Sequence, residues 1–188
     1  MLTWIVLVIV AAVAAYTAFI FNNLVRTRQL ANEAWSGIDV QLKRRSDLVP
    51  NLVDTVKGYA AHGRGVLQEV TELRAAAREV PAADVTARAQ AEGALSVGLG
   101  RLFAVAENYP DLKANGNFLA LQQELSALEN DLQMARRYYN GTVRNMNTLV
   151  QSFPSNLVAH AFGFAERLYF QISDEAERAL PQVALASP

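Results

Sequence analysis

The sequence predicts an all-α fold: an N-terminal transmembrane helix followed by an antiparallel bundle of long helices. Residues 1–21 are almost wholly apolar, which predicts the first helix. Downstream, apolar residues recur at alternating intervals of three and four, the spacing of one helical face, and no stretch shows the strict alternation of a half-buried strand. We therefore expect a transmembrane anchor at 1–25, a cytoplasmic antiparallel helical bundle at 26–172 and a flexible C-terminal tail at 173–188.

Composition excludes several classes of function. The chain has 188 residues and a formal net charge of −1, so no overall electrostatic attraction to nucleic acid is indicated and we expect no nucleic-acid partner. The absence of cysteine excludes disulfides, thiolate catalysis and zinc–thiolate sites.

The N-terminal apolar run is long enough to cross a bilayer. At 1.5 Å per residue, residues 1–21 span roughly 30 Å, the thickness of the hydrocarbon core. One alternative is a cleaved signal peptide with Ala12-Val13-Ala14 at the cleavage site, but no Lys or Arg precedes the run, and the run continues past that site. The other is a buried core helix, but core helices rarely run this long without a charge. A membrane span is the prediction.

Charge distribution predicts the orientation of this span. No basic residue precedes it, whereas five follow it closely: Arg26, Arg28, Lys43, Arg44 and Arg45. The positive-inside rule then puts the C-terminal bulk of the chain in the cytoplasm and a very short N-terminus outside.

Residues 34–62 form an amphipathic helical pattern with two anomalies. The apolar face comprises Trp35, Ile38, Leu42, Val49, Leu52, Val56 and Tyr59. Between Leu42 and Val49 this face is occupied by Arg45, and Pro50 lies inside the pattern. Because proline removes one helical hydrogen bond and clashes with the carbonyl of residue i−4, here Ser46, we predict a bend between Ser46 and Pro50.

Arg45 on the apolar face requires a partner, because an unpaired buried charge costs several kcal/mol. Glu124 and Glu129 are the candidates, and a structural ion pair that also fixes helix register is the favoured interpretation. The alternative is that the basic run Lys43-Arg44-Arg45 binds anionic lipid. In a straight helix Lys43 lies ~27 Å beyond Val25, which disfavours direct lipid contact.

Gly63 and Gly65 leave the number of helices open. If the first helix ends there, four helices return the aromatic-dense segment 153–170 to the membrane side. If it continues to Val80, three helices leave that segment at the distal end. Pro81 is a firm stop in either case, and Asp84 or Thr86 would cap the next helix.

Two further helices follow. Residues 85–108 form one, and NYPDLKANGN (108–117) is a turn-rich connection. Residues 118–151 carry the longest regular series, a heptad seam that ends before Phe153-Pro154: Phe118, Leu121, Leu125, Leu128, Leu132, Ala135, Tyr139, Thr142, Met146 and Leu149. The aromatic segment 153–170 is interpreted either as a hydrophobic cap on the bundle or as an exposed contact surface for another subunit or the membrane.

No motif points to catalysis. His62 and His160 have no second histidine or carboxylate at zinc-binding spacing. Gly98-Leu99-Gly100 lacks the third glycine of a dinucleotide-binding loop and follows no strand. We expect no catalytic residue, no metal and no cofactor.

Several segments together resemble the LemA family of bacterial membrane-anchored helical proteins. They are AWSGIDVQLKRRSDLVPNLVDTVKGYAAH, NYPDLKANGNFLALQQELSALEN, ARRYYNGTVRNMNTLVQSFPSNLVAHAFGF and the N-terminal apolar run. The resemblance implies one transmembrane helix, an antiparallel helical bundle and no established enzymatic activity. After His62 the chain departs from the family pattern, because Gly63-Arg64-Gly65 replaces a glutamate and helix formers.

The anchor, the long heptad seam and the missing catalytic set together favour a non-enzymatic scaffold in the bacterial inner (plasma) membrane that self-associates and organises or shapes the membrane. The alternative is an adaptor that binds another membrane protein, such as a quality-control protease. The structural or interaction candidates are Trp35, Arg44, Arg45, Asp47, Pro50, Asn51, Tyr59, Tyr139, Asn140, Asn147, Pro154, Phe162 and Phe164.

Overall fold

The computed structural model describes residues 1–59 and 64–172, and within these ranges every regular element is a helix. The predicted all-α class is confirmed. His62 and the predicted tail at 173–188 lie outside the described residues. The helices are α1 (Leu2–Lys57), α2 (Arg64–Glu79), α3 (Val85–Ala106), α4 (Pro110–Lys113), α5 (Gly116–Gln151) and α6 (Ser155–Ala161).

The helix boundaries decide between the two alternatives at the glycine pair. Since α1 ends at Lys57 and α2 begins at Arg64, the first helix does not continue to Val80. The stop at Pro81 is confirmed, because α2 ends at Glu79. Asp84 caps α3 as predicted, its side chain accepting the Ala87 N–H at 2.9 Å.

The chain divides into two compact units. Unit 1 comprises Met1–Arg44 and Ala127–Phe170, and unit 2 comprises Arg45–Ser126 together with Gln171–Pro188, of which Gln171 and Ile172 are described.

In unit 2, α2 and α3 form an antiparallel pair joined by a short turn. Arg101 contacts Glu69 at 2.6 Å, while Gly98, earlier in α3, lies against Leu73, later in α2. A Cβ atom on Gly98 would come within 2.7 Å of Leu73 Cδ1, so glycine permits this close approach. The apolar core of unit 2 consists of Val49, Leu52, Val56, Leu67, Val70, Leu95, Leu99, Leu102, Ala106, Leu112, Phe118 and Leu125.

In unit 1, α1 and α5 run antiparallel. Ile20 shares an apolar cluster with Val150, whereas Trp35, further along α1, contacts Tyr139, which is earlier in α5. The predicted seam of α5 faces inward, since seven of its ten positions are buried and the other three are half-buried. The heptad pattern therefore reports packing within the chain.

Beyond α5 the chain makes one short helix and then a non-helical segment, residues 164–170, which we call the strap. Gly163 separates the two with φ of +70°, a left-handed conformation that favours glycine. The Phe164 N–H bonds the Ala159 carbonyl at 2.9 Å and the Gly163 N–H that of His160 at 3.4 Å, the pair of bonds that closes a helix C-terminus in a Schellman motif. Helix α6 was not predicted from the sequence.

Candidate functional site

The N-terminal part of α1 has no protein partner among the described residues. Large apolar side chains up to Phe19, itself 68% exposed, are open to solvent, and burial begins at Ile20, which is 7% exposed. Among the described residues, α1 is the one helix long and apolar enough to cross a membrane. The contacts between α1 and the aromatic segment begin where this exposed stretch ends.

Aromatic side chains that follow α6 contact α1 at this point. The rings of Phe162 and Phe164 meet Phe21 edge-on, with centroids 4.9 and 5.7 Å away, and the Arg28 guanidinium lies 4.9 Å from the Phe164 ring centroid. The aromatic segment thus returns to the end of the apolar run, as the four-helix alternative predicts.

Two asparagines of α5 hold the strap by its backbone. Asn147 donates to the Arg167 carbonyl at 3.0 Å and accepts the Arg167 N–H at 2.8 Å. Asn140 bonds both backbone groups of Phe170 in the same way, at 3.0 and 2.9 Å. Seven helical residues rise about 10.5 Å and three extended residues cover about 10 Å, so the two spacings match. The asparagines supply the partners that a non-helical backbone needs when it is buried.

Tyr139 and Trp35 complete the attachment of the strap. The Tyr139 hydroxyl donates to the Leu168 carbonyl at 3.0 Å. The pKa of this hydroxyl is raised, because the effect of burial exceeds the opposing effect of the nearby Arg167 charge. Trp35 contacts the rings of Tyr139 and buried Phe170 at centroid distances of 5.2 and 5.4 Å. Four of the predicted candidates (Trp35, Tyr139, Asn140 and Asn147) therefore act together on one segment.

The aromatic segment contains both buried and exposed side chains, and its role stays a prediction. Phe164 and Phe170 are buried within unit 1, at 6% and 0% exposure. Phe153, Leu157 and Phe162 remain 78%, 60% and 57% exposed, and we call these three the α6 patch. Pro154 lies beside this patch, half-buried, and immediately precedes α6.

Arg45 is buried in unit 2, where its guanidinium contacts the Glu92 carboxylate at 2.5 Å, the Glu92 carbonyl at 2.9 Å and the Ser96 hydroxyl at 2.7 Å. The sequence analysis missed Glu92, and the pairing with Glu124 or Glu129 stays a prediction. A signal was available: Glu92 interrupts the apolar face of α3, just as Arg45 interrupts that of α1. The remaining buried members of that face are Ala89, Leu95, Leu99, Leu102 and Ala106.

Pro50 lies inside α1, and the carbonyl that it deprives of a helical donor has another partner. Arg74 Nε of α2 donates to the Ser46 carbonyl at 2.6 Å. The predicted loss at Ser46 is thus compensated from a neighbouring helix, while the predicted bend stays a prediction. Sequence reasoning missed Arg74.

The remaining candidates do not join the strap contacts. Tyr59 accepts a hydrogen bond at 2.8 Å from Asn115, whose side-chain oxygen also accepts the N–H groups of Asn117 and Phe118 at the start of α5. Arg44, Asp47 and Asn51 are exposed. No group of three or more metal-ligating side chains occurs in residues 1–59 and 64–172.

These features define an all-α protein whose first helix has an exposed apolar N-terminal stretch. The strap is fixed against the same helix just beyond that stretch. A profile of the LemA family matches residues 34–185, most of the chain, and the chain therefore belongs to the LemA family. The resemblance found in the sequence is confirmed.

Individual relatives agree with this assignment. Protein LemA of Metamycoplasma hominis is 27% identical over 153 residues, covering 81% of this chain and 69% of the relative. Magnetosome protein MamQ 2 of Paramagnetospirillum magneticum is 23% identical over 189 residues, covering 86% and 70% of the two chains. Magnetosome protein MamQ of Magnetospirillum gryphiswaldense is 22% identical over 194 residues, covering 87% and 71%. Together with the N-terminal helix, these matches indicate a membrane-associated protein.

Proposed function

We propose that this protein is a single-pass, membrane-anchored, non-enzymatic scaffold that self-associates and organises or shapes the membrane. The observation that carries the proposal is the change in burial along α1: no apolar side chain up to Phe19 is buried, and the first buried ones are Ile20 and Leu24. An apolar helix of about 20 residues with no protein partner is stable in a bilayer and unfavourable in water.

The proposed location is the bacterial inner membrane, with a short N-terminus outside and the remaining chain in the cytoplasm. Residues 1–25 contain no Lys or Arg, whereas Arg26 and Arg28 follow the apolar stretch closely. This asymmetry supports the orientation through the positive-inside rule. The proposed anchor is residues 1–25, and residues 26–172 are the cytoplasmic part.

Self-association requires a surface that the chain does not use internally. The heptad face of α5 is occupied within the chain, so the proposed contact lies on its outer face. There Met134 and Tyr138 are each 55% exposed and stand four residues apart, which puts them on one side of the helix. Methionine and tyrosine are side chains enriched at protein interfaces.

The test uses single cysteines, which are unique labels because the chain contains none. Met134→Cys and Tyr138→Cys are expressed at increasing density in native membranes and treated with a short thiol crosslinker. We expect a dimer band, or a ladder, whose yield rises with density. Leu119→Cys is the matched control, an exposed apolar residue (43% exposed) on the same helix in unit 2.

Strictly monomeric protein at the highest density would contradict self-association. Crosslinks confined to Leu119→Cys would retain self-association and reject the proposed face. A single stoichiometric crosslink to a different protein would replace the scaffold by the adaptor alternative.

A further inference from the structure

We infer that the α6 patch is a second membrane contact, which inserts into the interface of an anionic bilayer beside the anchor. The inference deepens the proposed function and rests on the anchoring of α1. Its occupant is a lipid surface that carries negatively charged headgroups. The position of the patch, its exposure and the charges around it, all within unit 1, support this contact.

The position of the patch follows from its contact with α1. Phe162 meets Phe21 at 4.9 Å between ring centroids, so it lies at the end of the exposed apolar stretch. Val158 and Ala159 of α6 share an apolar cluster with Ile20, which fixes the helix at the same level. In a membrane that accommodates the apolar part of α1, α6 therefore lies at the boundary between hydrocarbon and headgroups.

The side chains of α6 are divided between two environments. Val158 and Ala159 face the cluster, with 8% and 0% exposure, whereas Leu157 on the other side is 60% exposed. Phe153, beyond the end of α5, is 78% exposed. A short helix with one face buried in protein and large apolar residues on the other is typical of a segment that lies in a membrane interface.

Charge is segregated around the patch. The whole chain has a net charge of −1, yet neither residues 1–32 nor residues 132–165 contain a single Asp or Glu. The same ranges contain five arginines: Arg26, Arg28, Arg136, Arg137 and Arg144. Arg26 lies about 7.5 Å along α1 from Phe21, at the outer edge of a headgroup layer about 5–7.5 Å deep, and Arg28 lies about 3 Å beyond it. The apolar side chains of the patch would contact the hydrocarbon boundary, and the arginines on its cytoplasmic side would attract negatively charged lipid headgroups.

The test measures depth with an environment-sensitive fluorophore on single cysteines of the full-length protein. The labelled variants are Phe153→Cys, Leu157→Cys, Phe19→Cys in the anchor and Val40→Cys, an exposed apolar residue of unit 1 that lies about 28 Å along α1 from Phe21. Each is reconstituted in phosphatidylcholine vesicles, with or without phosphatidylglycerol, and quenched with nitroxide-labelled lipid. We expect blue-shifted, lipid-quenched emission at Phe153, Leu157 and Phe19, and neither effect at Val40.

The design separates the inference from the function it rests on. Quenching at Phe19 with solvent-like signals at Phe153 and Leu157 overturns the inference and leaves anchoring intact. Solvent-like signals at Phe19 overturn anchoring itself. Burial of the Leu157 label without lipid quenching, together with a Leu157→Cys dimer crosslink, identifies a second copy as the occupant and also overturns the inference.

The preference of the α6 patch for anionic lipid can be tested through the arginines. Arg26→Gln and Arg144→Gln should each shift the balance between inserted and exposed α6 about fivefold toward exposure in phosphatidylglycerol vesicles. In pure phosphatidylcholine both should have little effect. Arg101→Gln, which removes an exposed arginine of unit 2, is the matched control and should change nothing. Equal insertion by all variants in both lipids would overturn the anionic preference.

Discussion

Pro50 shows how a residue that breaks a helical rule is tolerated. Proline lacks the N–H that would bond the Ser46 carbonyl, and a buried carbonyl without a donor is costly. Arg74 Nε supplies a donor at 2.6 Å from α2, so the proline on one helix and the arginine on another form a functional pair. The hydrogen bond from Arg74 to the Ser46 carbonyl joins α2 to α1. With alanine at position 50, the backbone N–H of that residue would bond the same carbonyl instead.

This pairing predicts a specific coupling. Arg74→Ala should lower the free energy of unfolding by about 1.5–3 kcal/mol, because a charge-assisted bond is lost and the Ser46 carbonyl has no helical donor. In a Pro50→Ala background the same change should cost half as much or less, since the N–H of alanine serves that carbonyl. Chemical unfolding in detergent provides the double-mutant cycle, and Arg78→Ala, an exposed arginine one turn further along α2, is the control. Equal costs in both backgrounds would show that Arg74 acts independently of Pro50.

The Arg45–Glu92 pair is buried at both ends, with side-chain exposures of 2% and 3%. Glu92→Leu should lower the free energy of unfolding by about 3–5 kcal/mol, because it removes the carboxylate that pairs with buried Arg45 and, at 3.6 Å, with Arg88. Adding Arg45→Met should recover part of that loss, since it removes the more deeply buried of the two guanidinium groups. Arg101→Ala is the control: its ion pair with Glu69 is exposed, and its loss should cost less than about 1 kcal/mol. A double variant as unstable as Glu92→Leu alone would contradict the prediction.

The two arginines show where residue-level prediction succeeds and fails. Arg45 was recognised because a charge interrupted an apolar periodicity, and burial then demanded a partner. Glu92 carries the same signal on α3 but could not be matched to Arg45, because periodicity shows which face is buried and not which faces meet. Arg74 gave no signal, since an arginine on a polar helix face ordinarily contacts solvent.

At the scale of elements, the strap is held both through its backbone and through two of its side chains. Asn147 and Asn140 are one heptad apart on α5 and satisfy the backbone of Arg167 and Phe170. Phe164 and Phe170, at the two ends of the strap, are buried, whereas Leu168 and Tyr169 between them are exposed. The attachment therefore depends on the asparagine amides and on the phenylalanine rings at the two ends.

Asn147→Ala should consequently loosen the strap. It removes two hydrogen bonds and leaves the Arg167 N–H and carbonyl without these partners, a loss of about 1–3 kcal/mol. Asn147→Asp should also loosen the strap, because a carboxylate still accepts the Arg167 N–H but puts an oxygen in place of the amide donor to the Arg167 carbonyl. Hydrogen exchange of the Arg167 amide measures the effect, with exposed Asn145→Ala as the control. Unchanged exchange in Asn147→Ala would refute the role of the asparagines.

A pair of glycines in α3 tests the close approach of α2. Gly100 has open space around its missing Cβ, so Gly100→Ala should raise the free energy of unfolding by about 0.8–1 kcal/mol through helix propensity. Gly98→Ala should gain nothing or lose stability, because its Cβ would lie 2.7 Å from Leu73 Cδ1. Thermal unfolding of both variants provides the comparison, and an equal gain at the two positions would contradict the close packing.

Elements that follow from local periodicity were predictable, and those that depend on distant partners were not. Helix α5 was predicted to within two residues at its start, because ten apolar or small positions repeat without a slip. Helix α6 has only seven residues, and the strap has no periodicity to detect. Asn140 and Asn147 were structural or interaction candidates from the sequence, but their partner is the backbone of a non-helical segment, which side-chain patterns do not encode.

At the scale of the whole molecule, the length of exposed apolar helix matches a bilayer, and the folded part of unit 1 begins where that length ends. The sequence predicted the span from its length and lack of charge. It left open whether the aromatic segment returns to the membrane side, because that depended on a break in the first helix. In the structure the first helix ends at Lys57, and Phe162 contacts Phe21. The aromatic segment therefore returns to the end of the exposed apolar stretch.

Deleting residues 2–19 therefore separates anchoring from folding. Because burial begins at Ile20, the shortened protein should keep its helical content and the slow exchange of the Arg167 amide. It should leave the membrane fraction completely in alkaline or high-salt washes, whereas the full-length protein stays. Residual low-salt binding to phosphatidylglycerol vesicles is expected from the α6 patch and should disappear as salt screens Arg26 and Arg28. Retention of the shortened protein through an alkaline wash would place the anchor elsewhere, and loss of the slow Arg167 exchange would show that the apolar stretch is needed to fold unit 1.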